Sequence, residues 1–272
     1  MTPTARQRAK APATKRVPVE SVEGQGVRSV QRALDILSLL TEDKPSVSIR
    51  EIAEATGLAK TTAIRLVQTL EQSGLLWATP TGYMAGPRLW RWAHLAKRSW
   101  ELPAETQQMM RDLAMDQRET VNLYVLRDIR RVCVAQQESP QPLRHVVHVG
   151  DELPTWAGAS SKVLLRNAPD SLLERIALDS PYGARHVRRM REWIDEATHA
   201  GSAVSHGERD DGLSAVAVPV FGRSGAVVAA LSLSGPTLRF PDRRVRQFAD
   251  ALKDVARRMS ERGFEHPLSS AR

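Results

Sequence analysis

The chain has 272 residues, 42% of them hydrophobic, with 39 Lys and Arg against 31 Asp and Glu and a formal charge of +8. That is enough chain to bury a core in one or two domains. No run reaches the roughly 18 apolar residues of a transmembrane helix, and the first 26 residues lack the apolar stretch of a signal peptide, so a cytoplasmic protein without membrane attachment is expected.

Residues 1–26 are rich in Pro, Ala, Thr, Arg and Lys and show no apolar period, which reads as a disordered basic arm. Val30, Ala33, Leu34, Leu37 and Leu40 then recur at helical spacing and predict a first amphipathic helix, closed by Asp43-Lys44-Pro45. Ser48-Ile49-Arg50-Glu51 is a capping box, so a second helix begins near Ile49 and ends where Gly57 can turn left-handed. A third helix follows after Leu58-Ala59, with Ile64, Val67 and Leu70 inward and Ser73-Gly74 as its stop. Leu75 to Ala78 and Tyr83 to Ala85, joined by Thr79-Pro80-Thr81-Gly82, predict a hairpin. Residues 27–86 therefore read as a winged helix-turn-helix. Residues 87–102 predict a linker helix whose stripe of Leu89, Trp92, Ala93, Ala96 and Trp100 suits a dimer contact or packing on the first helix.

Residues 103–264 read as an α+β domain. Pro103 opens a helix carrying Met109, Met110 and Leu113. Strands are expected at 121–126, 132–135, 145–149, 215–221 and 227–233, and helices at 160–167, 171–178, 188–200 and 242–262, which makes a hairpin-paired sheet with flanking helices. Residues 265–272 are left as a tail. The only cysteine, Cys133, rules out an intramolecular disulfide and a cysteine-built zinc site and is expected as a buried small hydrophobe. His145 and His148 on a strand would face opposite ways, and His206, Glu208, Asp210 and Asp211 read as a solvated loop.

Residues 1–100 carry 15 basic and 8 acidic residues, the remainder 24 and 23. A localised positive excess attracts polyanions, nucleic acid first and an anionic membrane second, although it also serves solubility. On the third helix the residues facing away from the apolar stripe are Lys60, Thr61, Thr62, Arg65, Gln68 and Thr69. Arg65 and Gln68 can make paired contacts with guanine and adenine edges, Thr62 and Thr69 can touch a thymine methyl, and Lys60, Thr61 and Arg50 can hold phosphate. Double-stranded DNA is the expected partner, with a merely solvated helix face as the alternative. A hydrolase is suggested only by seven histidines and Ser160-Ser161-Lys162, without a nucleophile-elbow, P-loop or dinucleotide motif. No catalytic residue, metal or cofactor is assigned. An architectural DNA binder would not need some 160 further residues.

These stretches together resemble the IclR family of bacterial transcription regulators, from about Val27 to Arg262. The match is carried by Ser29 to Leu37, by Ile52 to Leu70, by Gly150-Asp151-Glu152-Leu153-Pro154, by Val216 to Phe221 and by Ala230 to Pro236. The resemblance implies a GAF-like effector domain that binds a small molecule, a homodimer or homotetramer on operator DNA, and in many relatives repression. It places the ligand between the sheet and the loop-helix at 155–162, which points to Trp156, Ala159, Ser160, Ser232 and Ser234. Ser232 and Ser234, two apart on a strand, face the same way, and N–H groups near Ala159 and Ser160, at a helix start, could supply an anion site, with helix caps and core hydroxyls bonded to backbone as the alternative. The chain departs from the family pattern at Trp156, where many members have histidine, at Ala159-Ser160-Ser161, where they are richer in glycine, and at Ala215, where some have cysteine.

Overall fold

The computed structural model describes residues 27–41 and 43–270, so the basic arm expected over 1–26 lies outside the described residues. The described residues form two compact units, divided between Leu95 and Ala96.

In the first unit α1 (Arg28–Leu37), α2 (Ile49–Thr56) and α3 (Lys60–Gln72) pack around Ile36, Val47, Ile52, Ala63, Val67, Leu70 and Leu76. The capping box forms as expected: Glu51 N–H donates to Ser48 Oγ at 3.3 Å, and Ser48 N–H donates to Glu51 Oε2 at 2.8 Å. Lys44 also pairs with Glu51, and these bonds hold the Glu51 carboxyl down at about 2. Gly57 ends α2 at φ 68, the left-handed conformation that lets α3 begin three residues later. The inward faces differ from expectation in phase. On α1 the buried residue is Ile36, with Ala33 and Leu37 half-buried, while Val30 and Leu34 are exposed. On α3 Ala63 lies deeper than Ile64.

Strands β2 (Leu76–Thr79) and β3 (Gly82–Ala85) make the predicted hairpin. A two-residue strand, β1 (Ser46–Val47), completes a three-stranded sheet in the order β1-β3-β2. The pairing needs glycine at 82, because a Cβ there would sit 2.5 Å from the Val47 carbonyl oxygen. Helix α4 (Pro87–Trp100) spans the expected linker, contains the boundary between the units and has no buried residue.

In the second unit α5 (Ala104–Gln117) precedes the hairpin β4 (Thr120–Arg127) and β5 (Arg130–Gln137). Then come β6 (Glu152–Pro154), α6 (Ala159–Leu164), α7 (Asp170–Asp179), α8 (His186–Ala200), β7 (Ala203–His206), β8 (Leu213–Phe221), β9 (Val227–Pro236) and α9 (Asp242–Glu261). The six strands form an antiparallel sheet in the order β6-β5-β4-β9-β8-β7. Its two faces serve different purposes. Val121, Leu123, Val125, Val132, Leu231 and Leu233 join Met110, Phe248 and Leu252 of α5 and α9 in the main core. The opposite face, with Tyr124, Cys133, Ala217 and Ala230, packs on Ala159, Val163 and Leu164 of α6.

One expected strand is absent, and some features were not anticipated. Residues 145–149 form no strand, because Gly150 N–H donates to the Cys133 carbonyl and Cys133 N–H to the Asp151 carbonyl, leaving the preceding valines without a ladder. The strands β6 and β7 were not anticipated. Of the residues left as a tail, His266 is buried and Pro267–Ser270 forms a 3-10 turn. Cys133 is buried as expected, and burial pushes its thiol up to about 12.

Candidate functional site

The first unit offers one polar helix face. Lys60, Thr61, Arg65, Gln68 and Thr69 of α3 are exposed, whereas Thr62 is half-buried on the flank. Gln72, one turn beyond Gln68 and outside the expected set, is exposed on the same face as Thr61, Arg65 and Gln68. Arg65 makes no ion pair among the described residues. Thr69 donates its hydroxyl proton to the Arg65 carbonyl at 2.9 Å, which leaves its methyl and its oxygen lone pairs for an outside partner. Arg50 is exposed at the start of α2 and, among the described residues, pairs with Glu54 one turn along, a contact that water weakens. On the hairpin, Trp77 lies opposite Met84 with both side chains exposed.

The second unit contains a cavity of about 40 Å³ between the sheet and α6, room for about three waters. Of the residues expected there, Ala159, Ser160, Ser232 and Ser234 line it. Ser232 and Ser234 share a face of β9 because they lie two residues apart on it, with Asn122 of β4 opposite Ser232 and Ala215 of β8 opposite Ser234. Trp156 does not reach the cavity. Its carbonyl accepts from His186 Nε2 at 2.8 Å and its ring meets Tyr182 edge-on, so it packs with α7 and α8.

The remaining wall includes residues that the sequence reading did not select: Tyr124, Arg131, His145, Glu208, Arg209 and Asp210. Arg131 starts the alternation that puts Cys133 on the α6 face, so starting β5 one residue earlier would have flagged it. It is 5% exposed. Its Nη1 donates to the carbonyls of Pro154 and Ala157 at 2.6 and 2.8 Å and to Ser161 Oγ. Its Nε is buried without a partner. Burial pushes this guanidinium down to about 10.

The acidic loop is likewise not merely solvated. Glu208 accepts from Gly158 N–H at 2.9 Å and pairs with Lys162 of α6, whose ammonium also donates to the Val204 carbonyl. Asp210 pairs with Arg209 at 2.6 Å. Burial first, and Arg209 second, push His145 down to about 4, so its ring is neutral at physiological pH. Arg209 Nη2 lies 3.4 Å from His145 Nε2 and can only donate, which assigns the proton to Nδ1. His145 Nδ1–H and Asn122 Nδ2–H then both donate to Ser234 Oγ, each at 3.0 Å. The Ser234 hydroxyl proton is therefore left for a further acceptor.

Among the described residues no helix is long and apolar enough to cross a membrane, and no group of three or more His, Cys, Asp and Glu could hold a metal ion. Residues 29–79 match the IclR helix-turn-helix domain, and residues 94–261 match the family described as bacterial transcriptional regulator IclR C-terminal. The acetate operon repressor of Salmonella typhimurium is 29% identical, over 95% of this chain and 96% of its own. The p-hydroxybenzoate hydroxylase transcriptional activator of Acinetobacter baylyi is 27% identical, over 85% and 89%. The crystal structure of an IclR-family protein from Rhodococcus sp. superposes with a TM-score of 0.61 at 39% identity, covering 97% of this chain and all of that one. A DNA-binding helix-turn-helix half and an effector-type α+β half thus occur in the family's order, and the chain belongs to the IclR family of bacterial transcriptional regulators.

Proposed function

We propose that this regulator is a homo-oligomeric repressor whose operator binding is modulated by a small molecule held in the cavity between the sheet and α6. Residues 27–86 bind DNA, 87–102 link, and 103–264 sense. The observation that carries the DNA contact is the exposed row Thr61, Arg65, Gln68 and Gln72 on a helix that follows a tight left-handed turn. Arg65 and Gln68 read base edges, Thr62 and Thr69 add apolar contact from the flank, and Lys60, Thr61 and Arg50 hold phosphates. Two such helices on a symmetric dimer match a palindromic site. Val30 and Leu34 on α1, with Val27 just before it, and Trp90, Trp92 and Leu95 on α4 are exposed and supply apolar surface for self-association. The relatives include both a repressor and an activator, so the sign rests on the commoner repressor reading of the resemblance.

The test is selection of genomic fragments by the purified full chain, followed by fluorescence anisotropy on the enriched site with and without a metabolite panel. Enrichment of one palindromic motif, with affinity changed at least several-fold by one metabolite, supports the reading. Binding without motif preference, or turnover of a metabolite, overturns it.

A further inference from the structure

We infer that the linker helix α4 carries a second, sequence-independent DNA contact, in which Arg91, Lys97 and Arg98 hold phosphates of the duplex flanking the site that α3 reads. This rests on the first unit binding DNA through α3. Residues 72–100 contain no Asp or Glu, and this acid-free stretch runs through the whole of α4. Arg91, His94 and Arg98 stand at positions i, i+3 and i+7 of the helix and so line one face, with Lys97 beside them. The apolar stripe of Leu89, Trp92, Ala93, Ala96 and Trp100 lies on the other side, so self-association through that stripe leaves the cations in the open. All four basic side chains are exposed, and among the described residues Arg91, Lys97 and Arg98 make no ion pair.

Solubility alone does not call for such a face. Other exposed helix faces of the chain place acids beside their cations: on α8 Arg188 and Arg189 pair with Glu192, and on α9 Arg257 pairs with Asp254 and Glu261. Pairs of this kind add little stability in water, but they cancel charge locally. The stripe on α4 keeps its full charge and suits a polyanion, whose condensed counterions are released on contact. Its place in the fold suits the duplex bound by α3. Arg88 N–H donates to the Gly74 carbonyl at 3.0 Å, so α4 starts beside the end of α3, where Gln72 closes the exposed row. From Arg91 to Arg98 the helix rises about 10 Å, the length of about three base-pair steps, so its cations can meet successive phosphates of one strand.

The experiment uses the full chain and the motif that it enriches, with fluorescence anisotropy at several salt concentrations on duplexes that end at the motif or run about one helical turn beyond it on one side. The expected result is binding of the longer duplex at least about 10-fold tighter at low salt, with a slope of log affinity against log salt steeper by about 2–3, since each neutralised phosphate contributes about 0.9. The double variant Arg91→Gln, Arg98→Gln should lose most of that gain and about 2 of the slope. Arg91→Lys with Arg98→Lys should keep both, because a phosphate held as a point charge needs no guanidinium fork. A longer duplex that gains nothing overturns the inference, and so does a glutamine variant that keeps the whole gain, which would assign the flank to residues 1–26. Sedimentation of the glutamine variant should match that of the unaltered chain; a changed oligomeric state would make the stripe a protein contact and overturn the inference. Capture by phosphatidylserine vesicles, lost in the glutamine variant and without any gain from the flank, would assign the stripe to a membrane and overturn it as well. Motif binding indifferent to flanks removes the inference alone, whereas failure to enrich any motif removes the reading on which it rests.

Discussion

Gly235→Ala puts one methyl group against a buried carboxylate. Glu119 is 1% exposed, and Arg239 grips it through Nε at 2.5 Å and Nη2 at 2.8 Å. A Cβ on residue 235 would lie 2.2 Å from Glu119 Oε2 and 3.1 Å from the Phe240 ring. Ordinary carbon–oxygen contact begins near 3.3 Å, so the carboxylate or β9 must give by about 1 Å. Breaking a buried pair costs about 3–5 kcal/mol and overpacking a core about 1–3 kcal/mol. Because Arg239 is partly exposed and can re-solvate, the cheaper route governs, and about 2–3 kcal/mol is expected. For a unit of this size that is a fall in Tm of about 5–10 °C. The assay is a double-mutant cycle by urea denaturation with Glu119→Ala, which removes the clashing atoms. In that background Gly235→Ala should cost less than about 1 kcal/mol, a coupling near 2 kcal/mol. Additive costs would refute the steric argument.

Arg65→Ala should cost about 1–3 kcal/mol at one operator position and relax its base preference, with Thr62→Ala costing less because Thr62 is half-buried on the flank; equal losses in anisotropy titrations would place the reading face elsewhere on α3. His145 is held near 4 against 6.5 for free imidazole, so as pH falls the unfolded chain takes up the proton first. Its contribution is fully present above about pH 6.5 and is lost down to about pH 4, on the order of 2–3 kcal/mol. Urea melts across that range should show His145→Gln flattening the acid slope, and an unchanged slope would mean that the ring is already solvated. Phe264→Ala, at a residue 6% exposed in the main core, should cost about 3 kcal/mol by the same melts; a negligible change would show that residues after α9 are not part of the fold.

What was legible in the sequence had short-range causes. Ser48 and Glu51 are three residues apart and complete their own cap, and Gly57 sets the turn by itself, so α2, the turn and α3 follow from local chemistry. The choice of inward residues on α1 failed because Ile36 and Leu34 are equally apolar. Which of them faces in depends on where α2 and α3 lie, and no local period records that. Residues 145–149 misled for a related reason. Valine favours strands by packing on a pleated surface, and here Val147 is buried under the sheet's edge without sharing its ladder. Strand β1 has two residues, too few for any period to show.

The cavity was legible only where the resemblance reached it, at Ala159, Ser160, Ser232 and Ser234. The others, Tyr124, Arg131, His145 and the Glu208 to Asp210 loop, come from segments separated by up to about 90 residues of chain, and register brings them together. Net charge could not reveal them either. The second part of the chain is nearly neutral, and a count treats Arg131 as one of its 24 basic residues. Surface pairs such as Arg257 with Glu261 cancel in water at little consequence, but a guanidinium held by carbonyls beneath α6 cannot be neutralised by a distant acid. The excess that matters for a polyanion is summed over a surface, whereas the excess that matters for a small ligand belongs to one buried side chain. Balance over the whole unit therefore says nothing about a buried charge without an acid beside it.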